Sequence, residues 1–173
     1  MSFVGILTTA KNENRLKHVF KEASSTSRTF YLHEANIDNV KNIKFETILI
    51  GKEIEEKKEQ VRNLVQNAKY LILNSDRKEN VAILENLNLN LITYGFGSKC
   101  TITASSIEEE QVMVCLQRGI KSPSGKMLEP QEIEMKLEQE GDSYTSMEEA
   151  ALMLLYPDLY IGNQSKKERH DSG

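Results

Sequence analysis

The stretch AKYLILNSDRKENVAILENLNLNLITYGFG, residues 68–97, decides the predicted fold of this chain. Its apolar run at residues 70–73 predicts a buried strand, and residues 89–94 predict a second strand. Between them lie a polar turn, Asn74-Ser75-Asp76, and residues 78–87, which predict a short helix. A strand, a helix and a second strand in this order favour a βαβ unit with a right-handed crossover in a parallel sheet.

The preceding part of the chain repeats this alternation of strands and helices. Strands are predicted at residues 3–8, 28–33 and 45–50, and helices at residues 12–23, 37–43 and 53–68. Thr9 and Asn12 are the alternative N-caps of the first helix. The sequence therefore predicts an α/β fold with a mostly parallel, five-stranded, Rossmann-like sheet and helices on both faces.

After Gly97 the pattern changes to antiparallel strands. Residues 100–107 and 111–118 both alternate in polarity and predict a hairpin extension. The predicted register pairs Ser106 with Val112, Ala104 with Val114 and Ile102 with Leu116. It places Cys100 and Cys115 on opposite faces, which disfavours a disulfide. Two further short strands are predicted on either side of Pro130, within residues 127–137.

The last predicted element is an unusually apolar helix at residues 147–156, opened by a capping box of Ser146 and Glu149 and stopped by Pro157. Such a helix is either part of the core or a surface for a protein partner or a homodimer. The residues of this candidate interaction surface are Met147, Ala151, Leu154 and Leu155.

The chain is long enough for one domain with a real core. Residues 1–161 are predicted to form a single α/β domain, made of a parallel core (1–97), an antiparallel extension (98–140) and the apolar helix (145–157). Residues 162–173 are predicted to be a disordered tail.

The composition and net charge argue against several classes of function. The net charge of −4 offers no basic stripe for nucleic acid, and the short apolar runs predict no membrane insertion. No leader pattern precedes the first strand, so a cytoplasmic location is expected. The spacing of Cys100 and Cys115 suits neither a metal site nor a redox pair, and no metal or cofactor is expected.

In an open parallel sheet, ligands bind beyond the carboxyl ends of the strands. The candidate ligand-binding residues at those ends are Lys11, Asn12, Asn74, Asp76, Tyr94 and Gly95. Each also has a structural alternative, because Asn74 and Asp76 suit an Asx turn and Gly95 suits a turn with positive φ.

The first turn has the outline of a phosphate-binding loop but lacks its chemistry. Such a loop needs glycines for backbone approach, followed by Lys and Ser or Thr. The turn here, TTAKNENR at residues 8–15, has one lysine, no glycine and no such pair. Triphosphate binding is not expected, whereas a lone phosphate or a carboxylate at the helix N-terminus stays open.

Residues 68–118 resemble the later half of the central, ATP-binding domain of Mur ligases, which build the peptidoglycan peptide. In that family a strand ends in Asn-x-Asp, a short helix follows, and the next strand ends in a Tyr-Gly turn before an antiparallel extension. This chain has Asn74-Ser75-Asp76, then NVAILENL, then Thr93-Tyr94-Gly95. The resemblance implies that Asn74, Asp76 and Tyr94 lie near a nucleotide or sugar-nucleotide pocket.

The chain also departs from the family pattern. It lacks the Gly-Lys-Thr loop, its segment before Asn74 is too short for the family's metal and substrate residues, and no ligase domain follows. The resemblance therefore implies a reduced, non-ligase relative in the bacterial cytoplasm. Two hypotheses follow: a non-catalytic domain that binds a partner protein or a cell-wall precursor, and a small nucleotide- or sugar-nucleotide-binding enzyme that uses the strand ends.

Overall fold

A computed structural model describes residues 1–137 and 142–162 of the chain. In these residues the strands are β1 (Ser2–Leu7), β2 (Ser27–Tyr31), β3 (Thr47–Ile50), β4 (Tyr70–Asn74), β5 (Asn90–Tyr94), β6 (Ile102–Ile107), β7 (Gln111–Leu116), β8 (Ile120–Lys121), β9 (Met127–Leu128) and β10 (Gln131–Lys136). The α-helices are α1 (Ala10–Val19), α2 (Lys58–Gln66) and α3 (Ser143–Leu155). Short 3-10 helices lie at Glu34–Val40, Lys78–Leu84 and Pro157–Leu159.

Eight of the described strands form one sheet in the order β2-β1-β3-β4-β5-β6-β7-β10. The pairs from β2 to β6 are parallel, and β7 and β10 add antiparallel pairs. The predicted α/β class and mostly parallel sheet are confirmed. The sheet is wider than the predicted five strands because the hairpin joins it directly.

The hairpin meets the parallel strands through one residue pair. Tyr94, the last residue of β5, pairs with Ile102, the first residue of β6. β6 starts beside the end of β5, so the connecting segment does not have to cross back to the amino edge of the sheet. Residues 95–101 are therefore long enough to join two parallel strands. The antiparallel strands therefore extend beyond the carboxyl ends of the parallel strands and flank them on one side.

Apolar side chains cover both faces of the parallel strands. On one face Val4, Ile6, Leu49 and Ile72 pack with α1 and α3, and on the other Leu7, Ile48, Leu71 and Leu73 pack with α2. Strands buried on both faces explain the continuous apolar runs ILI at residues 48–50 and YLIL at residues 70–73. The predicted placement of helices on both faces is confirmed.

Several predicted helix boundaries were wrong. The helix predicted to begin at residue 53 begins at Lys58, because the preceding backbone is held by another element. The Glu34 carboxylate accepts hydrogen bonds from the backbone N–H groups of Glu55, Glu56 and Lys57 at 2.9–3.1 Å. The helices predicted at residues 37–43 and 78–87 are short 3-10 segments, and the first helix ends at Val19 rather than residue 23.

Two of the three predicted hairpin pairs are confirmed, Ile102 with Leu116 and Ala104 with Val114. The third is wrong, because a β-bulge between Ala104 and Ser106 shifts the register so that Ser106 lies opposite Met113. Both cysteines are free thiols. The two short strands flanking Pro130 are present as β9 and β10.

The C-terminal helix begins earlier than predicted and packs on the chain's own sheet. Its N-cap is Asp142, whose side chain accepts from the Thr145 N–H at 2.9 Å, so the predicted Ser146–Glu149 capping box was wrong. α3 contacts β5, β6, β7 and β10 on one side and α1 on another. These contacts make α3 a core helix.

The four residues proposed as an interaction surface are therefore used mainly inside the molecule. Met147, Ala151 and Leu155 are buried, and Leu154 is half-buried against the same cluster. Most of the predicted tail, residues 163–173, lies outside the described residues. Among the described helices, none is long and apolar enough to cross a membrane.

Candidate functional site

The carboxyl end of β1 leads directly into α1 and forms the centre of the candidate site. Thr8 follows the strand and is buried, and Thr9 is the N-cap of α1, accepting from the Asn12 N–H at 3.3 Å. Of the two predicted N-caps, Thr9 is the correct one. The cap leaves the Asn12 side chain free to point inward, where it is buried.

A carboxylate from α3 occupies this turn. Glu148 Oε1 accepts from the Thr8 hydroxyl at 2.7 Å, and Glu148 Oε2 accepts from Asn12 Nδ2 at 2.9 Å. The Thr145 hydroxyl completes the arrangement by donating to Asn12 Oδ1 at 2.6 Å. We call Thr8, Asn12, Tyr94, Thr145 and Glu148 the buried polar cluster. All five residues are at most 5% exposed.

Gly51, at the end of β3, makes room for the buried polar cluster. A Cβ atom at Gly51 would lie 2.6 Å from Thr8 Oγ1, 2.7 Å from the Tyr94 hydroxyl and 3.0 Å from Glu148 Oε2. All of these distances are shorter than ordinary carbon–oxygen contacts. Glycine is therefore required by close approach, and the three oxygens fill the space beside it.

Burial dominates the electrostatics of this cluster. It raises the pKa of the Glu148 carboxyl to about 7, although hydrogen bonds from Thr8 and Asn12 act in the opposite direction. Burial, and then the Glu148 charge, hold the pKa of Tyr94 well above its usual value. The Tyr94 hydroxyl makes no well-aligned hydrogen bond among the described residues. Near neutral pH, Glu148 is therefore poised between its neutral and ionised forms.

A second, exposed group lies at the ends of β4 and β5. Asp76 Oδ2 accepts from the Phe96 N–H at 3.0 Å and from the Tyr144 hydroxyl at 2.8 Å. The rings of Phe96 and Tyr144 meet edge to face, with centroids 5.4 Å apart. We call Asp76, Phe96 and Tyr144 the exposed rim. Burial, followed by the hydrogen bond to Asp76, raises the pKa of Tyr144 to about 12.

The position beside the exposed rim requires glycine for steric reasons. Its φ is +150° and a Cβ atom there would lie 2.7 Å from Asp76 Oδ1. Asn74 is buried, and its Oδ1 accepts from the Asp76 N–H at 3.0 Å. That contact is the Asx turn expected as the structural alternative.

The six predicted ligand-binding residues divide between two environments. Asn12 and Tyr94 lie in the buried polar cluster, and Asn74 is buried in its turn. Asp76 belongs to the exposed rim with Gly95 beneath it, and Lys11 is exposed on the first turn of α1. Because Asn74 and Tyr94 are buried, they do not share an open concavity with Lys11 and Asp76.

Sequence reasoning missed the three residues that α3 contributes, Tyr144, Thr145 and Glu148. The available signal was the pair Glu148-Glu149 in a helix that is otherwise apolar nearly all round. Such a helix buries every face, so at least one of these carboxylates had to enter the core. Glu149 is also buried and forms an ion pair with Arg15, with 3.4 Å between Oε2 and Nε.

Two open clefts lie away from this edge. One, of about 680 Å³, is lined at the opposite edge by Tyr70, Lys121 and neighbouring residues. The other, of about 510 Å³, lies beside β2 and is lined by Lys17, Arg28 and Tyr31 among others. Within the described residues, no group of three or more His, Cys, Asp or Glu side chains could hold a metal ion.

Comparison with known proteins gives no family for this arrangement. No protein-family model matches the chain, and no curated protein matches it in sequence. The function is therefore inferred from the geometry of the buried polar cluster and the exposed rim.

Proposed function

We propose that this chain is a non-catalytic, Mur-ligase-like domain that acts by binding a partner protein or a cell-wall precursor. The observation that carries the proposal is the buried Glu148 carboxylate in the turn between β1 and α1. In a phosphate-binding domain, this turn holds the anionic group of a nucleotide. Here the anion is supplied by the chain itself.

The internal carboxylate opposes nucleotide binding in two ways. Its oxygens use the Thr8 hydroxyl and the Asn12 amide, which are the side-chain donors that a phosphate would need. When ionised, it also repels a phosphate at the same position. A loop without glycine adds a third obstacle, because its backbone amides do not approach a ligand as closely.

The exposed rim supports binding of a partially polar ligand. It offers an aromatic pair, Phe96 and Tyr144, beside the carboxylate of Asp76. Aromatic rings pack on the apolar faces of sugars and peptides, while a carboxylate accepts from hydroxyl and amide groups. The Asp76 carboxylate repels phosphate, so the rim suits the sugar or peptide part of a cell-wall precursor.

Thermal unfolding with and without ligands tests this proposal. ATP, ADP and Mg²⁺ are expected to leave the unfolding midpoint unchanged. A muropeptide, which carries the sugar and peptide parts of a cell-wall precursor without the nucleotide, is expected to raise it. Ligand at 100 times its dissociation constant stabilises a fold by about 2.7 kcal/mol, which is several degrees for a small domain.

Two variants locate the ligand. Asp76→Ala and Phe96→Ala should both remove the shift if the exposed rim binds the precursor. Lys126→Ala, at an exposed position on the opposite edge of the sheet, is the control and should keep the shift. A midpoint shift with ATP that is lost in Asp76→Ala would overturn the proposal.

The second candidate function is a nucleotide- or sugar-nucleotide-binding enzyme at the same edge. The observation that favours it is the open position of Asp76 at the end of β4, where α/β enzymes place catalytic and ligand-binding groups. Lys11, on the first turn of α1, would then contact the ligand from the other side. Saturable binding of a sugar nucleotide that Lys11→Ala weakens at least tenfold would favour this candidate over the first.

A further inference from the structure

The cleft of about 680 Å³ lies at the amino edge of the parallel strands, opposite the edge that carries the exposed rim. Three of its lining residues directly precede adjacent strands of the sheet: Glu46 before β3, Lys69 before β4 and Leu89 before β5. The turn between β8 and β9, residues 122–125, lines the cleft from a second element. Its volume is in the range of small-molecule binding sites.

Hydrogen bonds fix the turn that lines this cleft. The Tyr70 hydroxyl donates to the Lys121 carbonyl at 2.8 Å and ties the turn to the start of β4. Inside the turn, the Gly125 N–H donates to the Ser122 carbonyl at 2.9 Å, and the hydroxyls of Ser122 and Ser124 are 2.9 Å apart. The turn is therefore held in place without a ligand, which lowers the entropic cost of binding one.

The Glu46 carboxylate, which lines the cleft, is oriented by two hydroxyl groups. Its Oε1 accepts from the Tyr156 hydroxyl at 2.8 Å, and its Oε2 accepts from the Ser2 hydroxyl at 3.1 Å. An ionised carboxylate has about four acceptor sites, so these two bonds leave acceptor capacity for a ligand. The natural partners of such an acceptor are hydroxyl and amide groups.

Two lysines bring positive charge to the same cleft. Lys69 and Lys121 both line it and both are exposed. Within the described part of the chain, neither ammonium group makes a hydrogen bond or an ion pair. With one carboxylate against two ammonium groups, the lining has an excess of one positive charge. Like charges that share a concave site concentrate ligands of the opposite charge, so the cleft favours an anion.

The other lining side chains suit a ligand that carries hydroxyl groups. Asn88 and Ser124 are exposed at the cleft and supply an amide and a hydroxyl, which can each donate and accept. Leu89 and Pro123 add apolar surface beside them. Sugars present hydroxyl groups next to apolar C–H groups, and ammonium groups bind phosphate or carboxylate. The lining as a whole therefore matches a sugar with an anionic group.

We propose that this cleft binds a small anionic sugar. Lys69 and Lys121 bind its phosphate or carboxylate group, and Glu46 accepts hydrogen bonds from its hydroxyl groups. The cleft is then a second ligand site of the chain, on the opposite edge from the exposed rim. This proposal is independent of what binds at the exposed rim.

NMR titration of the chain with four separate probes tests the site. Glucose 6-phosphate and glucuronate should bind and shift the amide resonances of Lys69, Asn90 and Ser124. Glucose lacks the anionic group and inorganic phosphate lacks the sugar, so each should bind about tenfold more weakly or worse. Added salt should weaken the binding of both anionic sugars, because the two ammonium groups are exposed to solvent.

Single lysine variants test which groups bind the anion. Lys69→Ala and Lys121→Ala should each weaken glucose 6-phosphate binding about tenfold, since each removes one charge-assisted contact. Lys58→Ala is the matched control, because it removes the same charge from an exposed position at the start of α2, away from the cleft. This control should bind like the native chain.

Glu46→Gln tests the contact with the hydroxyl groups. Glutamine is a weaker acceptor for sugar hydroxyls than a carboxylate, and it does not repel an anion. The variant should therefore bind inorganic phosphate more tightly than the native chain does. The preference for glucose 6-phosphate over inorganic phosphate should become smaller.

Three results would overturn the inference. The first is a titration in which no probe shifts the cleft resonances, or in which the shifts lie at the exposed rim instead. The second is inorganic phosphate that binds the native chain as tightly as glucose 6-phosphate, which would mean an adventitious ion only. The third is glucose 6-phosphate binding that neither Lys69→Ala nor Lys121→Ala weakens relative to Lys58→Ala.

Discussion

The parallel half of the sheet, from β2 to β5, differs from the antiparallel end in how its two faces are covered. The antiparallel end consists of β6, β7 and β10. The parallel half is covered on both faces, and the turn at the end of β1 is closed by buried side chains. The antiparallel end is covered by α3 on one face. Its other face carries exposed residues such as Ser105, Glu134 and Lys136.

α3 connects the two regions and explains why the chain has both. It packs on the antiparallel strands and, from there, sends Glu148 into the turn after β1 in the parallel half. The antiparallel extension thus serves as a support for the helix that closes the first turn. In this chain, the sheet edge at which α/β domains usually bind ligands is therefore part of the core at the end of β1.

The largest expected effect is a pH dependence that Glu148 confers on stability. The folded-state pKa of about 7 lies above the usual glutamate value of 4.5, so the folded protein binds this proton more tightly than the unfolded chain. The Glu148 contribution to stability is therefore fully present below about pH 4.5 and is lost as pH rises through about 7. The loss is about 3 kcal/mol, from the size of the pKa difference.

Glu148→Gln should remove this dependence because glutamine does not titrate. Denaturant unfolding at pH 5 and pH 8 would measure it, with the native chain losing free energy of unfolding relative to the variant at the higher pH. Glu132→Gln, on the exposed face of β10, is the control and should follow the native chain. An equal pH response in native chain and Glu148→Gln would contradict the assignment.

Gly51→Ala tests the crowding in the same cluster. Its Cβ would lie within 3.0 Å of three oxygens, so the side chains or the end of β3 must shift. Overpacking of this kind costs about 1–3 kcal/mol. Urea denaturation should show a lower midpoint.

Gly97→Ala is the matched substitution on the antiparallel side of the same edge. Its nearest neighbour would be Cys100 Sγ at 3.6 Å, which is an ordinary contact. Little change in the denaturation midpoint is expected. Equal losses for the two alanine variants would show that the space beside Gly51 is not special.

The N-cap of α3 should have a smaller effect. Asp142→Ala removes the acceptor of the Thr145 N–H and should cost about 1 kcal/mol in the free energy of unfolding. Asp142→Asn keeps an acceptor but removes the negative charge that also raises the pKa of Glu148. The asparagine variant should therefore keep most of the stability, measured by thermal unfolding at pH 5, and lower the Glu148 titration midpoint.

The smallest effect is expected on the uncovered face of the antiparallel end. Cys115 is half-buried there and contacts Ser105 through a weak Sγ–Oγ hydrogen bond of 3.2 Å. Cys115→Ser should change the free energy of unfolding by no more than about 0.5 kcal/mol. A change well above 1 kcal/mol in chemical denaturation would show that this face is packed against something.

The sequence predicted the parts of the fold that depend on local pattern. Continuous apolar runs such as YLILN predicted strands buried on both faces, and alternation predicted the hairpin and most of its register. The bulge at Ser105 was not predictable, since it depends on how β6 meets β7 rather than on the residues of one strand. The start of α2 was missed because Glu34, far away in sequence, holds the preceding turn.

The candidate site was predicted only in part for a related reason. Asn12 and Asp76 were found because they follow strands whose carboxyl ends share one edge. Glu148 was missed because its position depends on α3 crossing back over the sheet to the turn after β1. A contact over such a long sequence separation leaves no local pattern, since Thr8 and Glu148 are 140 positions apart in the chain.

Glu148 is a buried carboxylate that occupies the turn after β1, and the pKa of its side chain reports on this placement. The most direct measurement is the titration of its side-chain carboxyl carbon by NMR, with the resonance assigned from the Glu148→Gln variant. We expect a midpoint near pH 7, well above the usual value for a glutamate. A midpoint near 4.5 would mean that the carboxylate is solvated, and the turn would again be available to an external anion.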